Sequence, residues 1–242
     1  MGILSELKTD NEIQDSGDSL GGQFGAVDSG LYNFTIGAAY INTSKTGALG
    51  LVLECKTKDD KTVRETFWIQ SGKEKGNKNY YIDRKGDKQY LPGFNQANAL
   101  CLLAVGKELS KLDTEEKIID LYDPAAKTQV PTKVDMIVAL VGQSINAGII
   151  KQTVNKRKKD PATGNYVAVT ETREENEFNK LFRAKDNLTV TEIKAGITEA
   201  VFYKKWAAKW NGVVRDRTDK KAVNAATLET SGTTPNEAEL FA

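Results

Sequence analysis

The sequence predicts a mainly β protein with added helices, an α+β fold, on three observations. Between residues 30 and 70, apolar and polar side chains alternate with a period of two in successive runs separated by turn-forming residues. After Pro92-Gly93 the apolar spacing changes to threes and fours, and it does so again between 189 and 211. Strand-like runs return beyond Lys133. With 242 residues, 39% of them hydrophobic and 28% charged, the chain can bury a core.

The elements follow in order. Residues 1–28 carry Asp, Ser and Gly clusters without sustained periodicity and read as a flexible acidic arm, with at most a short helix near Ile3–Leu7. Gly30–Ile41 places Tyr32, Phe34, Ile36, Ala38 and Tyr40 on one strand face. Thr43–Gly47 is a turn by composition. Ala48–Lys56 follows with Leu49, Leu51, Leu53 and Cys55 on one side, then an Asp59-Asp60 turn, then Lys61–Gln70. Together these runs predict an antiparallel meander. In the third run Val63, Phe67 and Ile69 suit a core face that also carries Glu65. The opposite face holds Arg64 and Trp68, so that Trp68 is either a buried anchor or a stacking platform.

Residues 71–92 read as a long connection, and Phe94–Val105 as a helix through Phe94, Ala97, Leu100, Cys101 and Ala104. Asp113-Thr114-Glu115-Glu116 resembles a helix start continuing through Ile118, Ile119 and Leu121, with Pro131 ending the loop behind it. Strands are expected at Lys133–Leu140 and Gly148–Asn155. Lys156–Gly164 then forms an arm tip or hairpin loop, and Tyr166–Glu174 is the return strand. Lys185-Asp186-Asn187 is a turn. Thr189–Asn211 reads as one helix with Thr191 as a possible cap, anchored by Trp206 and Trp210, with Lys204, Lys205 and Lys209 solvated. Residues 29–218 are expected to be one folded domain, and 219–242 a mobile acidic tail.

Composition excludes several function classes. The chain has no histidine, which removes Ser-His-Asp and Cys-His triads and histidine metal sites. Its two cysteines, Cys55 and Cys101, cannot build a disulfide framework or a zinc site. No apolar run approaches the roughly 20 residues that span a bilayer, and the expectation is a soluble cytoplasmic protein without membrane association, in the host cytoplasm if the protein is viral. No catalytic residue, metal site or cofactor is expected, and the reading is not an enzyme.

Net charge is only +1, but it is unevenly spread. Residues 1–28 hold six acids against Lys8. Lys61–Leu91 holds eight basic and four acidic residues, and Gly148–Lys159 five basic residues and no acid. Beyond Lys221 the only charges are Glu229, Glu237 and Glu239. A locally basic middle between acidic ends suits a polyanion-binding body.

The chemistry-bearing signal is aromatic residues interleaved with basic ones. Single-stranded nucleic acid asks for cations at its phosphates and exposed rings for its bases. Lys75, Lys78, Tyr80, Tyr81, Arg84, Lys85, Lys88 and Tyr90 offer both in one segment. Arg64 and Trp68 lie just before it, and Lys156, Arg157, Lys158 and Lys159 could clamp the backbone from an arm. The competing reading is of solvated loops whose tyrosines pack onto the body. Arg215 and Arg217 either extend a basic rim or are ordinary surface charges. The glycine-rich stretch Ser19–Gly25 lacks a preceding strand and a following Gly-Lys-Ser/Thr, so it is not a P-loop. Glu171, Glu174, Glu175 and Glu177 could in principle hold Mg²⁺ but read better as a solvated strand edge. The ending Asn236–Ala242, with Glu237, Glu239, Leu240 and Phe241, could occupy the chain's own basic groove or bind a partner protein.

Several of these features resemble the bacteriophage single-stranded DNA-binding proteins of replication and recombination. They are the strand Gly30–Ile36, the turn Ser44–Ala48, the strand Leu49–Leu53, the Lys/Gly/Tyr loop, the helix after Pro92-Gly93 and the acidic, phenylalanine-bearing end. The similarity spans roughly residues 30–182. It implies an OB-fold, an antiparallel Greek-key barrel whose face and loops bind the strand, here with helical elaborations. It also implies binding of single-stranded DNA with little sequence preference and a tail that recruits replication proteins. Trp68, Tyr80, Tyr81 and Tyr90 would stack on bases; Arg64, Lys75, Lys78, Lys85 and Lys156–Lys159 would meet phosphates. Replacing Lys156–Lys159 with alanine should then weaken binding and lower its salt slope. RNA binding and oligomerisation stay open. The alternatives are a structural phage protein that assembles without binding nucleic acid, and a metal-dependent nuclease.

Overall fold

The computed structural model describes residues 26–58, 61–123, 125–161, 164 and 166–219. Most of the expected N-terminal arm, the Asp59-Asp60 turn, and the tail with Glu237, Glu239, Leu240 and Phe241 lie outside the described residues. The fold is mainly antiparallel β with a few helices, the α+β class that the periodicities predict.

The expected meander forms: β1 (Gly30–Thr43), β2 (Leu49–Thr57) and β3 (Thr62–Gln70) pair in sequence order, all antiparallel. Leu51, Leu53 and Cys55 of β2 enter the main core with Phe34 and Ile36 of β1 and Phe67 of β3. The single apolar face expected for β1 is interrupted. Its register with β2 shifts between Ile36 and Ala38, and an inserted residue moves every later side chain to the opposite face. Ala39 therefore continues the main core, while Ala38 and Tyr40 turn to a second cluster with Val52, Val134 and Met136.

The segment after β3 is more ordered than a plain connection. It contains a short 3-10 turn at Lys73–Lys75 and a hairpin, β4 (Tyr80–Ile82) with β5 (Lys88–Tyr90). Helix α1 (Pro92–Val105) follows, two residues earlier than the spacing suggests, with Pro92 in its first turn and left-handed Gly106 closing it. Its buried side chains are Ala97, Leu100, Cys101 and Leu103.

The expected second helix is instead a strand. β6 (Glu115–Asp123) pairs antiparallel with β7 (Thr128–Met136). The Asp-Thr-Glu-Glu run mimics a helix cap, but the residues behind it alternate: Ile119 and Leu121 pack inward while Ile118 and Tyr122 are exposed. Pro131 lies inside β7 opposite Asp120, not in a loop. It is tolerated because β7 there has β6 on one edge only, β1 meeting β7 only at Asp135 and Met136. The strand expected over Lys133–Leu140 ends at Met136, and Val138–Leu140 is a 3-10 turn.

β8 (Ser144–Lys159) and β9 (Tyr166–Arg183) form a long hairpin. Lys156–Lys159 are thus the last residues of β8, not loop. The single helix expected over Thr189–Asn211 is two, α2 (Val190–Lys194) and α3 (Val201–Trp210). Thr189, not Thr191, is the cap: its hydroxyl accepts the Glu192 N–H at 3.2 Å, while the Glu192 carboxylate accepts the Thr189 N–H at 2.9 Å. Trp206 is a packing anchor as expected. Its indole N–H donates to Asn179 Oδ1 at 2.9 Å, and its ring fills the space left by Gly148, where a Cβ would fall 2.5 Å from it. β10 (Val214–Asp216) then adds parallel to β8.

The main sheet runs β3–β2–β1–β8–β9. One edge of β1 is shared, Gly30–Thr35 pairing with β8 and Tyr40–Ile41 with β7. At the far edges, β3 and β9 face each other across a seam that no ladder crosses among the described residues. Side chains bridge it. Glu65 accepts the Phe178 N–H at 3.5 Å, Gln96 of α1 donates to the Asn179 carbonyl at 2.9 Å, and Phe67 meets the Phe178 ring edge-on at 6.3 Å. Among the described residues, no helix is long and apolar enough to cross a membrane.

Candidate nucleic-acid interface

Strand alternation that buries Phe67 turns Trp68 outward, next to Gly50 of β2 in the ladder. Gly50 matters because it has no side chain. A Cβ there would sit 3.2 Å from Trp68 Cε3 and 2.9 Å from the Thr66 methyl, so the indole lies against the space that the glycine leaves. From the other side Gly93 of α1 abuts the same strand; a Cβ there would fall 2.4 Å from the Trp68 carbonyl oxygen. Trp68 remains 45% exposed, so of the two readings the buried core anchor does not hold, and the ring lies on the surface.

A cleft of about 1020 Å³ runs beside β3, between this strand, the segment 71–82, the start of α1 and β9. It brings together five of the sequence-predicted residues: Trp68, Lys75, Lys78, Tyr80 and Tyr81. The segment is tied down where it leaves β3. The Lys73 N–H donates to the Thr46 carbonyl at 2.9 Å, and Ser71 holds Lys78 through a backbone bond of 2.8 Å and a hydroxyl bond of 2.9 Å. Tyr81 is 46% exposed. Tyr80 is more occupied, with the ammonium groups of Lys78 and Lys88 at 5.6 and 5.1 Å from its ring centre.

The other expected residues lie elsewhere. Tyr90 pairs with Tyr80 in the hairpin, but its ring rests on Phe94 at 5.0 Å and does not line the cleft. Arg84 and Lys85 sit in the 83–87 turn, whose Asp83 carboxylate accepts the N–H groups of Lys85 and Asp87 and is thereby held below the usual carboxylate range. Arg64 shares the outer face of β3 with Trp68, yet its guanidinium already donates to the Tyr40 hydroxyl at 2.5 Å and pairs with Glu54 at 3.5 Å. Lys156 and Lys158 both grip Glu171, at 3.3 and 2.6 Å.

Sequence reasoning missed part of the lining: Gln96, Ile82 and the carboxylates Glu74 and Glu177. Glu65 was visible only as the one charge on a core face. Its carboxyl is pushed above the usual range, chiefly by burial, with Glu177 and Glu175 adding to the push and the N–H groups of Thr66 and Phe178 opposing it. The acids considered for Mg²⁺ meet cations of the chain itself. Glu174 pairs with Lys151 at 3.0 Å, Glu175 with Arg173 at 2.9 Å, and Glu177 with Arg215 and with Arg217. Arg215 and Arg217 are accordingly partners of an acidic residue and not a bare basic rim. Compared with protein-family models and with curated proteins, the sequence matches none.

Proposed function

We propose that this protein binds single-stranded DNA with little sequence preference, by stacking bases on exposed aromatic rings and meeting phosphates with lysine and arginine, as phage replication or recombination requires. The observation that carries this reading is the convergence of Trp68, Tyr81, Lys75 and Lys78 on one cleft. Flat apolar surfaces and cations side by side are what an unpaired strand needs, since its bases are free to stack on the rings. The protein holds the strand and does no chemistry on it. The tail, with Glu237, Glu239, Leu240 and Phe241, belongs to the same proposal as a segment that modulates binding or recruits replication proteins.

For the fold we propose an OB-like, partly open Greek-key barrel. Its support is the strand order. β1 lies between β2 and β8, β9 follows β8, and α1 intervenes between β3 and the later strands. The seam between β3 and β9, bridged by Glu65 and Gln96, is where such a barrel would close.

Titrating a labelled oligo-dT with the Lys75→Ala/Lys78→Ala variant tests the site. Loss of two phosphate contacts should weaken binding and lower the slope of log K against log salt by about 1.4. An unchanged slope removes the cleft from the binding surface.

A further inference from the structure

The basic arm has two unlike faces. Opposed residues of an antiparallel pair share a face, so the register Lys159↔Tyr166 and Arg157↔Ala168 puts Arg157, Lys159 and Tyr166 on one side of the β8–β9 arm. The other side carries Lys158, opposite Val167, and Lys156, both bound to the carboxylate of Glu171. That carboxylate is held below the usual range by the two lysines, whose charge is thus partly spent within the arm. Tyr166 is 65% exposed, and among the described residues the ion pairs of the arm tip are those of Lys156 and Lys158 with Glu171, on the opposite face from Arg157 and Lys159.

We infer that the face formed by Arg157, Lys159 and Tyr166 is a second contact surface for single-stranded nucleic acid, in which Tyr166 stacks on a base and the two cations meet the flanking phosphates. Lys156 and Lys158 serve the arm itself, by pairing with Glu171. The inference rests on the proposed function. It assigns a role to Tyr166, which composition alone does not mark, and withdraws one from half of the Lys156–Lys159 cluster.

The test uses the full chain, labelled oligo-dT and four variants, with circular dichroism to establish that each is folded. Tyr166→Ala should bind at least about five-fold more weakly, the loss expected from one stacked base, and Tyr166→Phe should restore binding. Arg157→Ala/Lys159→Ala should lower the salt slope by about 1.4. Lys156→Gln/Lys158→Gln/Glu171→Gln, which removes the internal pairing as a unit, should leave the slope unchanged. Photocrosslinking to an oligonucleotide carrying 5-bromodeoxyuridine should attach to the peptide containing Tyr166. If the intact chain binds oligo-dT but Tyr166→Ala and Arg157→Ala/Lys159→Ala bind as tightly as it does, the arm face is overturned and the cleft stands. If the intact chain does not bind, both fall together.

Discussion

At Trp68, neighbours decide between two roles that its own identity leaves open. The alternation of β3 shows that Trp68 opposes Phe67, but only the Gly50 partner beside its ring and its 45% exposure show that the ring is carried on the surface. Trp68→Ala should therefore cost about 1–3 kcal/mol of single-strand affinity while leaving the fold intact, as anisotropy and thermal melting would report. Glu65 makes a stability prediction of definite sign. A carboxyl whose folded pKa is raised favours the folded state below its unfolded pKa, and that contribution is lost as pH rises through the folded value. Glu65→Gln keeps an acceptor for the Thr66 N–H and removes the charge facing Glu175 and Glu177. It should melt no lower than the wild type at neutral pH, and the difference between the two should shrink as pH falls toward 4. A gap that widens on acidification would contradict the assignment. Residue placements were legible where side chains were chemically distinctive, as with Tyr81 and Lys78, which both line the cleft. They were hidden where a partner far along the chain sets them, as Glu54 and Tyr40 do for Arg64.

Elements with strict periodicity were read from sequence, and their errors have local physical causes. β2 and β3 contain no interruption beyond a shift at Leu49/Gly50, and their faces came out as expected. β1 contains a bulge that no period-two count registers. β6 reads as a helix in the sequence because Asp113-Thr114-Glu115-Glu116 satisfies a capping pattern, although the side chains that follow alternate in burial. The break between α2 and α3 is set at left-handed Gly196, a residue that a helix tolerates in sequence but not at φ 68°. Packing between elements makes its own prediction at Gly93, where α1 meets the backbone of β3. Gly93→Ala should destabilise the protein by about 1–3 kcal/mol, as overpacking does, and weaken binding with it, because the displaced helix start forms one wall of the cleft. Denaturant titration and anisotropy measure the two effects. Full stability would mean that the helix start has room to move.

On the scale of the whole molecule, the near-zero net charge conceals the division of labour. Many cations are held by acids of the same chain, as Glu177 holds Arg215 and Arg217, and so do not form a general basic surface. Lysines coincide with exposed rings beside the seam between β3 and β9, with a second such grouping on the β8–β9 arm. A protein built this way should discriminate by strand state more than by bulk charge, since the rings contribute only where bases are unpaired. The sheet order that creates the seam was not visible in the sequence, because it depends on which strand β8 and β9 join, and no periodicity encodes that. The most direct measurement is fluorescence anisotropy of a labelled oligo-dT and of a matched duplex, each titrated with the full chain at two salt concentrations. Salt-sensitive binding to the single strand, well above that to the duplex, is the predicted result. Equal affinity for both, or binding to neither, would contradict a cleft built for unpaired bases.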